Sequence, residues 1–160
     1  MDTYTRPDPE QAALLTIDTQ NDFTLPGAPA EIEGTVDAVP RMARLAGAFR
    51  SAEAPIVHVV RLHEADGSNV DRCRRAAIEE GAEIVRPGTD GAELVEKLKP
   101  SEDVGLEADR LLDGEFQQLG SREWLLYKPR WSASSGPSLN RSMSIGIRTG
   151  VIDCNRCNFR

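Results

Sequence analysis

Three short apolar runs constrain the fold of this chain more than any other feature of its sequence. They are AALLTID at residues 12–18, IVHVV at 56–60 and WLLYK at 124–128. Each is too short for a helix, and its apolar residues are continuous rather than alternating, which is typical of strands buried on both faces of a parallel sheet. Segments with helical periodicity lie between them. This alternation predicts right-handed βαβ units, and therefore an α/β domain with a mostly parallel sheet and helices on its faces.

The segments between the runs contain further predicted elements. An apolar stripe with a spacing of three or four residues predicts a helix from Thr35 to Ala52, with its regular part beginning near Pro40 and with Pro55 after its end. The Pro-, Gly- and Asn-rich residues 19–34 predict a long loop. We also predict a helix over 70–81 that ends at Gly81, a short strand over 82–85, one or two helical turns over 91–99 and a fourth strand over 145–153. No internal repeat or linker divides residues 1–130, so we predict a single domain over 1–160.

The charge balance disfavours two classes of partner. The 160 residues carry 26 acidic and 19 basic side chains, a formal charge of −7, and a negative surface repels nucleic acid. No apolar stretch approaches the roughly 18 residues that a membrane span requires, and the polar N-terminal residues lack the apolar region of a secretory signal. We therefore expect a cytoplasmic protein that binds a small molecule, with no nucleic-acid or membrane partner. Three cysteines in such a chain are expected to be free thiols.

Polar residues that follow the predicted strands are the candidates for chemistry. Asp18 ends the first run, Lys128 ends the third, and Cys154 and Cys157 follow the predicted strand over 145–153. Because ligands of open α/β sheets bind outside the carboxyl ends of the strands, these residues are expected at one edge. An ammonium group favours the thiolate form of a cysteine, and a carboxylate carries protons between a nucleophile and its leaving group. The three residue types therefore form a plausible set for nucleophilic catalysis.

The residues around these positions resemble a known family. ALLTIDTQNDF at residues 13–23 resembles the opening signature of the isochorismatase-like cysteine hydrolases, which include nicotinamidases and N-carbamoylsarcosine amidases. KPRWSA at 128–133 resembles the lysine motif of this family, and PIVHVVR at 55–61 resembles its second strand, so the resemblance covers about residues 10–133. It implies a three-layer α/β/α sandwich of six strands. It also implies a triad of Asp18, Lys128 and a cysteine that hydrolyses a small amide or carbamoyl compound.

The cysteine of this triad does not match the family motif in its spacing. The family has a Gly-Val-x-Thr-Asp-x-Cys-Val turn, whereas Cys154 comes two residues early and Cys157 one residue late when counted from Gly150. This count favours Cys157 and leaves Cys154 as the alternative. Residues 134–160 are Ser-rich and depart from the family, and residues 131–160 contain one of the 26 acidic residues and four of the 19 basic ones. We expect that this atypical tail is a frame-shifted or truncated end, that the sheet is incomplete there, and that the enzyme is weak or inactive.

The sequence leaves other functions open. An isochorismatase-type vinyl-ether hydrolase needs no cysteine, and a non-catalytic member of the fold would only bind a ligand or a partner subunit. Metal-binding members use Asp-x-His after the second strand, but Arg61 stands in the position of that aspartate before His63, so we expect no metal and no cofactor. His58 is expected to be packed or to line a cleft, and Cys73 to be structural. Association of family members and an unpaired sheet edge favour a homo-oligomer.

Overall fold

The strands form one mixed sheet that is mostly parallel. The structure, a computed structural model, describes residues 12–130. In the order β1-β2-β4-β3, the four strands are β1 (Leu14–Ile17), β2 (Ile56–Val60), β4 (Glu123–Tyr127) and β3 (Gln117–Gly120). Strands β1, β2 and β4 are parallel to one another, and β3 pairs antiparallel to β4 across a tight connection. The predicted α/β architecture with a mostly parallel sheet is thus confirmed, and β2, with all five residues buried, is one of its two inner strands.

Helices of very different length connect the strands. They are α1 (Asn21–Thr24), α2 (Thr35–Ser51), α3 (Arg72–Glu79) and α4 (Ala108–Leu112), with 3-10 turns at Asp90–Ala92 and Glu96–Leu98. The bounds of α2 agree with its apolar stripe, and Ala46 of that stripe packs on Leu14 and Ile56. Pro40 lies inside α2 rather than at its start. Proline cannot make one intrahelical hydrogen bond, because it lacks an N–H, but the packing of the apolar stripe outweighs this loss. The short α1 and α4 and the strand β3 were not predicted.

The strand predicted for residues 82–85 is wrong. Val85 has a φ of 45°, which lies in the left-handed region and is incompatible with an extended strand. Its backbone N–H donates instead to the Oδ2 atom of Asp22, at 2.6 Å. The apolar residues Ile84 and Val85 were a correct sign of burial, since both belong to the main apolar cluster. The turns predicted for residues 91–99 form, but as 3-10 turns.

Apolar clusters cover both faces of the sheet. The register of the strands places Leu14, Ile56 and Leu125 on one face, where side chains from α2, α3 and α4 join the clusters. On the opposite face, within residues 12–130, Val57, Val59 and Leu126 pack with other strand residues and Phe116 rather than with a helix. The predicted strand over 145–153 and the atypical tail lie outside the described residues. No helix within residues 12–130 is both long and apolar enough to span a membrane.

Candidate active site

Asp18 lies at the carboxyl end of β1 in an unusual backbone conformation. Its N–H donates to the carbonyl oxygen of Val59 on β2 at 3.0 Å, which continues the parallel ladder by one residue. Its φ is 56°, in the left-handed region, which aspartate tolerates better than most residues. Backbone conformations of this kind occur often at functional sites, where the surrounding structure holds them in place. This conformation ends the extended backbone of β1 at Ile17.

Lys128 approaches Asp18 from the other side of β2. It follows β4, and its N–H donates to the carbonyl oxygen of Val60 at 3.0 Å. Because neighbouring strands are about 4.8 Å apart, the first and third strands in the sheet order are about 10 Å apart. The four methylenes of the lysine cross this gap, and the Nζ atom donates to the Oδ2 atom of Asp18 at 2.7 Å. The structure thus brings together two predicted site residues that are 110 positions apart in the chain.

The two carboxylate oxygens of Asp18 have different surroundings. Oδ2 accepts from Lys128, whose side chain is only 3% exposed, so this ammonium group is largely removed from water. Oδ1 is buried and has no hydrogen-bond partner among residues 12–130. A buried acceptor without a donor is unfavourable in a folded protein, and such groups are often functional. The arrangement holds one oxygen in place and leaves the other able to accept a proton.

The predicted nucleophile is not part of this geometry. Cys157 and its alternative Cys154 lie outside the described residues, as do the last three residues of the KPRWSA motif. The other cysteine, Cys73, was expected to be structural, but it is exposed on α3. Its exposure does not fit a structural role in packing, and the one glutamate of α3, Glu79, is paired with Arg75.

Gln20 fixes the loop that follows Asp18. Its side chain is fully buried, and its Nε2 atom donates to the carbonyl oxygens of Arg61 and Ala92 at 2.7 and 2.6 Å. In return, its Oε1 atom accepts from the N–H of Arg61 at 2.7 Å. One amide group therefore joins β1, the end of β2 and the 3-10 turn at Asp90–Ala92. The sequence motif contained Gln20, but nothing local in the sequence indicated which backbone groups it would bind.

A buried polar network joins β1, β2 and β4 to α2. The Oγ1 atom of Thr16 lies 2.7 Å from Nδ1 of His58, and Nε2 of His58 lies 2.7 Å from Oε1 of Glu123. The guanidinium of Arg50, on α2, donates to both oxygens of Glu123 at 2.6 and 2.8 Å. Burial alone would raise the pKa of Glu123, but the hydrogen bonds from Arg50 and His58 outweigh it and lower that pKa to about 2. His58 is packed, as predicted, and Glu123 was not recognised from the sequence.

Arg61 forms a second buried polar cluster at the carboxyl end of β2. Its Nη2 atom donates to Oδ2 of Asp71 at 2.8 Å and lies 3.3 Å from Nε2 of His63. Burial, together with the nearby charges of Arg61 and Arg74, lowers the pKa of His63 to about 4, so that its ring is neutral near pH 7. No group of three or more His, Cys, Asp or Glu side chains in the described part of the chain is arranged to hold a metal ion. The residues around His63 do not fit a metal site, because the cationic Arg61 lies between His63 and Asp71.

Comparisons with known proteins relate this chain to one family. The isochorismatase domain model matches residues 12–149. A probable inactive nicotinamidase from Arabidopsis thaliana is 37% identical over 93 residues, which are 57% of this chain and 47% of that protein. The crystal structure of an isochorismatase family protein from Desulfovibrio vulgaris is 35% identical and superposes with a TM-score of 0.66, over 84% of this chain and 61% of that one.

A more distant structure has the same fold. The nicotinamidase/pyrazinamidase of Bacillus subtilis is 23% identical, with a TM-score of 0.61 over 85% of this chain and 66% of that one. At this level of identity the likeness supports the fold alone. The chain spans about half the length of the Arabidopsis relative and less than two thirds of the Desulfovibrio protein.

Proposed function

Because the chain belongs to the isochorismatase family, we propose that it hydrolyses a C–N bond in a small amide or carbamoyl compound. The observation that carries the proposal is the ion pair between Lys128 and Asp18, at 2.7 Å on the carboxyl edge of the sheet, with the Oδ1 atom of Asp18 left without a partner among residues 12–130. This edge is where ligands of open α/β sheets bind. The resemblance of the flanking motifs to those of amidases in the family supports the same reaction.

In the proposed reaction, Asp18 moves the proton and Lys128 supplies positive charge. Oδ1 of Asp18 takes the proton of the cysteine thiol, and the buried ammonium group of Lys128 stabilises the negative charge next to it. The thiolate attacks the carbonyl carbon and forms a tetrahedral oxyanion, which backbone N–H groups stabilise. The amine then leaves with the proton from Asp18. Water, deprotonated by the same carboxylate, hydrolyses the thioester, and the proton returns to the thiol.

We propose Cys157 as the nucleophile, with Cys154 as its alternative, and we propose that turnover is weak. Neither cysteine has the spacing from Gly150 that the family motif requires. A misplacement of about 1 Å in a reacting group is enough to lower a rate by about 100-fold. The name of the Arabidopsis relative, a probable inactive nicotinamidase, is consistent with weak activity in this part of the family. A small-molecule substrate, a cytoplasmic location and self-association belong to the same proposal.

Ammonia release by the full chain tests the reaction. Nicotinamide and N-carbamoylsarcosine are the substrates, and Asp18→Asn and Lys128→Met are the variants. We expect each variant to lower kcat/KM by about 100-fold or more, because the proton acceptor or its charged partner is removed. Asp103→Asn, a change at an exposed aspartate, is the matched control and should keep the wild-type rate. A rate for Asp18→Asn equal to that of wild type would refute the assignment.

The cysteine variants separate the alternatives. Loss of activity in Cys157→Ser but not in Cys154→Ser supports Cys157, and the opposite result assigns Cys154. Robust turnover that thiol alkylation abolishes would refute the proposal of a weak enzyme while confirming the reaction. Turnover of isochorismate by the doubly substituted chain would identify a vinyl-ether hydrolase instead. A chain with no low-pKa thiol and no turnover would be a binding member of the fold.

A further inference from the structure

The guanidinium of Arg61 lies between two side chains that are common metal ligands. A single atom, Nη2, is 2.8 Å from Oδ2 of Asp71 and 3.3 Å from Nε2 of His63. Carboxylate oxygens and imidazole nitrogens bind zinc at about 2.0–2.2 Å, so these distances are those of an N–H donor rather than of a bound ion. The two side chains thus converge on one point, and that point is already occupied by a cationic group.

The protonation states of the three groups agree with this arrangement. A guanidinium has only donors and stays charged, so the Nε2 atom of His63 must accept from it through a lone pair. A nitrogen that accepts a hydrogen bond carries no proton, so this contact itself requires Nε2 of His63 to be unprotonated. Asp71 balances the charge of Arg61, whose side chain is only 7% exposed. A neutral imidazole and a carboxylate are also the forms that bind a metal ion.

A second arginine strengthens the positive character of the cluster. Nη1 of Arg130 lies 3.7 Å from Oδ1 of Asp71 and 3.4 Å from the carbonyl oxygen of Val70. Arg130 therefore contacts the carboxylate oxygen that Arg61 does not use. With both of its oxygens near guanidinium groups, Asp71 has no carboxylate oxygen that lies clear of a positive charge. Like charges repel, so Arg61 and, more weakly, the half-exposed Arg130 oppose the binding of a divalent cation at this point.

We infer that the Arg61 guanidinium takes the place of a divalent metal ion between His63 and Asp71, so that the chain supplies the positive charge of this pocket from its own side chain. The inference does not depend on the proposed amidase reaction, because it concerns the binding of a cation and not turnover. It predicts that the native chain excludes divalent metal ions from this point. It also predicts that replacement of Arg61 by a carboxylate creates a metal site from Asp71, His63 and the new side chain.

Cobalt titration followed by visible d–d absorption tests the inference. All proteins carry Cys154→Ser and Cys157→Ser, because the thiols of these two residues would bind metal on their own. With Arg61 present, we expect no saturable Co²⁺ binding that depends on His63. In Arg61→Asp we expect one equivalent of Co²⁺ to bind, and the added change His63→Ala to abolish this binding. Saturable binding with Arg61 present that His63→Ala removes would overturn the inference, as would a folded Arg61→Asp chain that binds no Co²⁺.

A second variant keeps the test decisive if Arg61→Asp does not fold. Arg61→Ala in the same background leaves the space of the guanidinium open and adds no charge of its own. We expect Zn²⁺ to raise its Tm by about 8 °C at a hundredfold excess over Kd, and to leave the Tm of the chain with Arg61 unchanged. Equal shifts with and without Arg61, or no shift in a folded Arg61→Ala chain, would show that His63 and Asp71 are not arranged around a cation position.

Discussion

Lowering the pH should destabilise the fold through Glu123 in a defined range. The carboxyl of Glu123 is 4% exposed, and its pKa falls from 4.5 to about 2 because Arg50 and His58 bind the ionised form. A lowered folded-state pKa means that the unfolded chain binds the proton more readily. The stabilisation is therefore complete above pH 4.5 and is lost as the pH falls towards 2. A shift of about 2.5 pKa units corresponds to about 3 kcal/mol in total, of which about 1.5 kcal/mol is lost between pH 4.5 and 3.

Urea unfolding of wild type and Glu123→Gln at pH 4.5 and 3 isolates this contribution. The difference in unfolding free energy between the two proteins should narrow by about 1.5 kcal/mol over this interval, because the variant has no carboxyl to protonate. His63, whose pKa is lowered to about 4, titrates in this interval in both proteins, so its contribution cancels in the difference. Glu79→Gln, at an exposed glutamate paired with Arg75, is the matched control and should change the difference by less than about 0.5 kcal/mol. A constant difference between wild type and Glu123→Gln would refute the reasoning.

Further changes probe the loops that support the site. Gln20→Ala removes three hydrogen bonds and leaves buried backbone groups unpaired, so urea unfolding should show a loss of about 3 kcal/mol. The exposed Gln118→Ala should cost less than about 0.5 kcal/mol, and equal effects at the two positions would contradict the role of Gln20. Gly91→Ala places a methyl group on the carboxylate of Asp22 and should lower stability by about 2 kcal/mol or more in thermal melts. Gly47→Ala, in the middle of α2 with open space around it, should raise stability by about 0.5 kcal/mol, and a loss there would contradict this comparison.

The elements predicted correctly are those whose sequence pattern is local and strong. The run IVHVV became β2, an inner strand, because five consecutive residues without a polar face need burial on both sides. The stripe from Thr35 became α2 with nearly the predicted bounds. The residues of β3, QQLG, carry no such pattern. This strand forms because the turn that follows it reverses the chain, so that β4 pairs with it in antiparallel orientation. Ile84 and Val85 show the converse, since their apolar side chains are buried without forming a strand.

In the candidate site, too, the sequence predicted the positions of some residues but not their long-range contacts. Asp18 and Lys128 were placed at strand ends by the sequence and by family motifs, and the parallel sheet brings them together. One sign in the sequence indicated that Arg61 is unusual, because Arg61 stands where the Asp-x-His pattern has its aspartate. The contacts of Arg61 with His63 and Asp71, and those of Glu123 with His58 and Arg50, had no sequence signal. A charged residue has the same local pattern whether it is solvated or paired with a residue far away.

By itself the sequence determined which segments must be buried, the α/β class that follows from their alternation, and the two residues placed at strand ends. These features depend on the periodicity of neighbouring residues, which is written in the chain directly. Only the tertiary structure decided the strand order β1-β2-β4-β3, the left-handed backbone of Asp18 and Val85, and the 2.7 Å contact between Asp18 and Lys128. Each of these depends on contacts between distant segments. Their energies are set by which groups meet when the sheet assembles, and no local pattern contains that information.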